Sequence, residues 1–112
     1  MVALEYRPVK NIQVREEVLE SGVLLLFYPV TMRPWFSRLA RRLGGSEESV
    51  RFRKLQLDEL GTAVWHLLDG NRTVRQVIRA FARAHQLHHR EAEISVSQFL
   101  RTLGKRGIIG LK

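Results

Sequence analysis

Along the first third of the chain, apolar and polar residues alternate or run in short blocks, which predicts strands. Ile12 and Val14 alternate with Gln13 and Arg15, the spacing of a half-buried strand. Ser21-Gly22 reads as a turn. Val23 to Tyr28 follows as a β-rich run, expected to be buried on both faces and closed by Pro29. A further strand is predicted over Val50 to Leu57. Its apolar phase slips by one residue between Phe52 and Leu55, as a bulge or a strand bent at a sheet edge requires. Between the last two strands lies an insertion at about 31–49. Within it, Pro34 opens an amphipathic helix with Trp35, Phe36, Leu39 and Leu43 on one stripe and arginines off it.

The second half shifts to helical spacing. A first helix starts at an N-cap, Asp58, places Leu60, Val64, Leu67 and Leu68 on one face, and stops at Asp69-Gly70. Thr73-Val74-Arg75-Gln76 reads as a capping box for a second helix, whose apolar positions are Val74, Val77, Ile78 and Phe81. A third helix, from about Arg90, turns Ala92, Val96, Phe99 and Leu103 inward, with Leu100 beside them. Gly104 and Gly107 are expected to break it, and Ile108-Ile109 to return as extended chain. Strands first and three helices after them predict a small α+β domain of winged-helix character, with residues 1–112 as one unit.

Composition narrows the function. The chain has 112 residues, 45% hydrophobic and 27% charged, enough for one core without a metal or disulfide. It has no cysteine, which excludes thiol nucleophiles, redox pairs and thiolate metal sites. Nineteen Lys and Arg against 11 Asp and Glu give a net charge of +8. That favours an acidic partner (nucleic acid, anionic membrane or acidic peptide) without choosing among them. The longest apolar run, Val23 to Val30, is far short of the roughly 20 residues of a spanning helix. No export signal opens the chain, so a cytoplasmic location is expected.

Catalytic inventory is missing. There is no phosphate-binding loop, no nucleophile elbow and no framed carboxylate pair; Asp58 and Asp69 sit where helix ends need them. His85, His88 and His89 fall at the end of the second helix, with no acid nearby before Glu91, and read as a solvated loop rather than a metal site. His66 reads as an ordinary, partly exposed side chain. The expectation is a binding protein without enzymatic activity, cofactor or metal.

From Leu57 to Val74 the order leucine, aspartate, a pair of small residues within Gly61-Thr62-Ala63, an apolar helix and Asp69-Gly70-x-x-Thr73 resembles the PqqD family. The pattern Val96-x-x-Phe99-Leu100-x-x-Leu103 with Gly107-Ile108-Ile109 is similar to its closing stretch, and Gly22 to Pro29 to its second strand. The resemblance covers about 8–29 and 50–110. It implies a peptide-recognition domain: the leader segment of a ribosomally made precursor adds as a strand to the sheet edge beside the third helix and is presented to a modifying enzyme such as a radical-SAM protein. On that reading the peptide meets Arg51, Phe52, Lys54 and Gln56 on the edge strand and Ile94, Gln98 and Arg101 on the outer face of the third helix. Pyrroloquinoline quinone itself is not an expected ligand. The insertion at 31–49 departs from the short connection usual in the family.

The alternative is a winged-helix regulator that binds nucleic acid. Arg72, Arg75, Arg79 and Arg83 form a basic stripe with no acid from Asn71 through Arg90, and the net charge permits a polyanion. Against it, the helix that would enter the major groove opens with Glu91 and Glu93.

Overall fold

A computed structural model describes residues 4–30 and 51–112, so the predicted amphipathic helix at 31–49 lies outside the described residues. The strands are β1 (Pro8–Lys10), β2 (Arg15–Val18), β3 (Leu24–Val30), β4 (Arg51–Gln56) and β5 (Ile109–Leu111); the helices are α1 (Glu59–Leu67), α2 (Val74–Ala84) and α3 (His89–Lys105). The architecture is α+β, with antiparallel N-terminal strands followed by three helices.

β2, β3 and β4 form an antiparallel sheet in that order, and β1 pairs with β5 in a separate ribbon. Leu24, Leu26 and Tyr28 of β3 are buried, while Leu25 and Phe27 are half-exposed. The strand is therefore buried on one face rather than on both. It also runs on through Pro29, which pairs with Phe52. By ladder alternation the side of Pro29 lacking an N–H faces away from β4, where β2 has already ended at the Arg15–Phe27 pair, so no ladder bond is lost.

The predicted strand at Ile12–Val14 is instead a turn. Val14 N–H donates to the Asn11 carbonyl at 3.0 Å, the Asn11 side chain accepts from Gln13 N–H, and Ile12 is 97% exposed. Asparagine's affinity for its own following backbone outweighs a short alternation. At the next turn Gly22 adopts φ +90°, a region side chains rarely enter, and Ser21-Gly22 turns β2 into β3 as expected.

The helical half closes over the inner face of β3. α1 turns Val64 and Trp65 into the core and Leu68 follows, while Leu60 is exposed, contrary to the predicted stripe. Trp65 takes its place; its indole N–H donates to Glu16 and its ring lies 4.4 Å beneath the Lys10 ammonium. Burial holds Lys10 below its ordinary pKa, against the opposing pull of Glu16 and Asp69. α2 buries Val74, Val77, Ile78 and Phe81 as predicted, and the capping box is complete, with Gln76 N–H donating to Thr73 Oγ1 and Thr73 N–H to Gln76 Oε1. The N-terminal segment serves α2 as well: Val74 and Arg75 donate their N–H groups to the carbonyls of Tyr6 and Leu4. α3 buries Ala92, Val96, Leu100 and Leu103, while Phe99 is only half-buried. The helix passes through Gly104 and ends at Lys105, where Gly107 (φ +73°) reverses the chain into β5. Among the described residues no helix is long and apolar enough to cross a membrane.

Candidate functional site: an open strand beside the helical layer

Among the described residues β4 is an end strand of its sheet. Its register against β3 is unbroken from Gln56–Leu25 to Arg51–Val30, so the apolar slip reflects no bulge. Phe52 simply faces the outer side, opposite Pro29, while Leu55 faces the core side, opposite Leu26.

The direction of each main-chain group follows from one bond. Leu57 N–H donates to the Leu24 carbonyl at 2.8 Å. Antiparallel pairs alternate between bonded and non-bonded, so Leu57, Leu55, Arg53 and Arg51 bond to β3. The N–H and C=O groups of Phe52, Lys54 and Gln56 consequently point away from the sheet. No strand among the described residues takes them up.

Side chains on the two faces of this strand differ. On the outer face, Phe27 and Phe52 line an apolar recess of about 430 Å³ with Arg15, whose guanidinium lies 6.0 Å from the Phe52 ring centroid; Lys54 sits 5.6 Å over Phe27. Phe52 is 49% exposed. On the core side, Arg53 shares a cleft with Lys105 and Arg106 at the end of α3. Where β4 gives way to α1, a groove of about 300 Å³ runs between α1 and α3, lined by Leu60, Gly61, Gln98, Phe99 and Thr102 among others.

Local chemistry explains that groove. Asp58 caps α1 by accepting from Gly61 N–H at 2.6 Å, and Gly61 has no side chain. A Cβ there would lie 3.0 Å from Asp58 Oδ1 and 3.1 Å from Phe99 Cε1, so glycine is what lets the Phe99 ring approach the start of α1. Its neighbour Thr62 is buried and accepts from Leu24 N–H at 3.1 Å, tying the first residue of β3 to α1.

Of the residues predicted to meet a peptide, Phe52, Lys54 and Gln56 stand together on the outer face of β4, with Arg51 exposed on its core side. Gln98 lines the groove between α1 and α3. Ile94, 50% exposed, and Arg101 lie on a neighbouring stripe of α3 and do not line that groove. The sequence pattern placed Leu60 and Phe99 in the core rather than along a groove, and it singled out none of Arg53, Lys105 and Arg106. The spacing Ser95, Phe99, Thr102, Arg106 does mark a continuous helical stripe beside the buried one.

The basic stripe of α2 is partly neutralised from outside its own helix. Arg75 bonds Glu5 at 2.9 Å, and Arg72 reaches Asp69 at 3.5 Å and the Leu67 carbonyl at 3.1 Å. Three of the four histidines make local contacts: His85 packs on Phe81, His88 caps α3, and His89 lies 3.9 Å from Glu93, while His66 is exposed. Among the described residues no group of three His, Asp or Glu side chains is placed to hold a metal ion.

These features define a small α+β domain whose three-stranded antiparallel sheet ends, among the described residues, at β4 next to the helical layer. The family model for coenzyme PQQ synthesis protein D (PqqD) matches residues 46–109, which carry β4, α1, α2, α3 and the first residue of β5. The chain belongs to the PqqD family. β1, β2 and β3 lie outside the matched residues, although the resemblance in the sequence reached back to Pro8. Neither the curated proteins nor the solved structures gave a match. PqqD proteins are non-catalytic, peptide-binding accessories of coenzyme PQQ and ribosomal-peptide biosynthesis.

Proposed function

We propose that this protein binds the leader segment of a ribosomally made precursor as an added strand on β4 and presents the precursor to a modifying enzyme, such as a radical-SAM protein. The observation that carries the reading is the outward row of main-chain donors and acceptors at Phe52, Lys54 and Gln56 on an end strand. Strand addition needs that arrangement. β2 is the other end strand, but it is shorter and carries Glu16 and Glu17. The arginines and lysine of β4 discourage indiscriminate pairing while leaving the edge open to a peptide of suitable charge.

Magnitudes say how the work is divided. Each of the three outward residues offers one N–H and one C=O, and a hydrogen bond contributes a net of roughly 0.5–1.5 kcal/mol. Six such bonds give roughly 3–9 kcal/mol, against an association cost of about 4–15 kcal/mol. Main-chain pairing alone therefore yields a weak complex at best, and the recesses on either side of β4 must supply both affinity and choice of sequence.

The nucleic-acid alternative gains nothing from the geometry: α3 opens with Glu91 and Glu93, and Arg72 before α2 and Arg75 in its first turn already meet Asp69 and Glu5. The test is a titration of isotope-labelled protein with a peptide selected against it from a random dodecapeptide library. Amide shifts should concentrate at Arg51–Leu57 and around Gln98. Shifts confined to Arg75, Arg79 and Arg83 would transfer the binding site to α2 and refute the reading.

A further inference from the structure

Beside the open edge, the core-side face of β4 and the last turn of α3 enclose a cleft of about 820 Å³. Arg53, Lys105 and Arg106 line it, and no Asp or Glu does among the described residues. None of the three forms an ion pair with a described residue. Arg106 is held in place: its Nη1 donates to the Tyr28 hydroxyl at 2.6 Å, its guanidinium lies 5.9 Å from that ring centroid, and Tyr28 is only 2% exposed. One of its five N–H groups is used there, and the others remain for a partner. Tyr28 is also the ladder partner of Arg53, so the Arg53 side chain leaves the sheet on the same face. Three cations thus gather around one recess with no Asp or Glu among the described residues to relieve them.

A strand added antiparallel to β4 places alternate side chains on this same face. Its residue opposite Leu55 meets a partly buried apolar surface, and the residue two positions later lies opposite Arg53, at the cleft. We propose that the peptide received by this protein is acidic at that later position: an apolar residue opposite Leu55, then, two residues toward its C-terminus, an Asp or Glu bound by Arg53, Lys105 and Arg106. The proposal rests on strand addition to β4 and specifies the substrate class that β4 takes. A carboxylate there gains charge-assisted hydrogen bonds from a preorganised guanidinium, while a Lys or Arg at the same position faces three like charges. The cleft therefore selects by rejection as well as attraction.

The experiment pans the dodecapeptide library against the full chain and, in parallel, against a double variant, Arg53→Glu with Lys105→Glu. Both positions are exposed, so circular dichroism should show an unchanged fold. Peptides selected by the natural chain should share an apolar residue followed two positions later by Asp or Glu; those selected by the variant should keep the apolar residue and carry Lys or Arg in place of the acid. A synthetic wild-type-selected peptide should bind the milder pair, Arg53→Gln with Lys105→Gln, about tenfold more weakly. Peptides that shift the amides of Phe52, Lys54 and Gln56 but show no acidic preference, and bind both forms equally, overturn this inference and leave strand addition standing. Peptides that leave those three amides unmoved bring down strand addition, and this inference with it.

Discussion

The small pair Gly61-Thr62 shows how much one residue position can carry. Thr62 Oγ1 accepts the Leu24 N–H, a buried main-chain donor at the start of β3. Thr62→Val keeps the shape and removes the acceptor, so it should cost about 1–3 kcal/mol in urea unfolding, whereas Thr62→Ser should retain most of the stability. Asp69 carries a pH dependence. Hydrogen bonds from the backbone N–H of Arg72 and then of Asn71 hold its carboxyl below the ordinary carboxylate range. A depressed folded-state pKa stabilises above the unfolded value, and that contribution disappears as pH falls toward the folded value. Asp69→Asn should accordingly flatten the acid limb of stability measured by urea unfolding across the acidic range. Residue roles of this sort were legible in the sequence where they are local: Asp58, Gly70 and the Thr73–Gln76 box all sit where their spacing placed them. Leu60 and Trp65 were not, because a three-turn helix offers two plausible apolar stripes and only the packed sheet decides between them.

At the scale of elements, β4 makes the sharpest prediction. Proline at position 54 removes an N–H that points away from β3, while proline at 53 removes one that the ladder uses. Lys54→Pro should therefore keep the fold by circular dichroism and lose the library-selected peptide, with Lys54→Ala as the control for the side chain. Arg53→Pro should destabilise the sheet itself. The sequence announced β4 as an edge strand through its charges, and its slipped apolar phase is now explained by Phe52 facing outward and Leu55 inward. The Ile12–Val14 strand failed because a short alternation competes poorly with an asparagine turn. The β1–β5 ribbon went unread because its strands lie at opposite ends of the chain, and three residues each carry too little pattern.

Across the whole molecule, the ends of the chain hold the middle together. Arg7 and Lys112 exchange main-chain bonds at 2.9 and 3.0 Å, Asn11 N–H donates to the Ile108 carbonyl, and Ile108 is fully buried. The residues matched by the family model start at 46, yet Leu24, Leu26 and Tyr28 of β3 fill the core that α1, α2 and α3 close over. Residues 46–112 alone lose that wall, along with the carbonyls of Leu4 and Tyr6 that complete the start of α2. A fragment with those bounds should give collapsed, poorly dispersed amide spectra, and adding residues 4–30 back should restore the native pattern. How these parts combine was not legible from any one segment, since each contact joins residues far apart in sequence.

Amide hydrogen exchange, followed residue by residue with and without the selected peptide, tests the docking strand most directly. The amides of Phe52, Lys54 and Gln56 should gain protection from the peptide, while Arg53 and Leu55, already bonded to β3, should change little. Bound peptide with no added protection at those three positions would contradict the account.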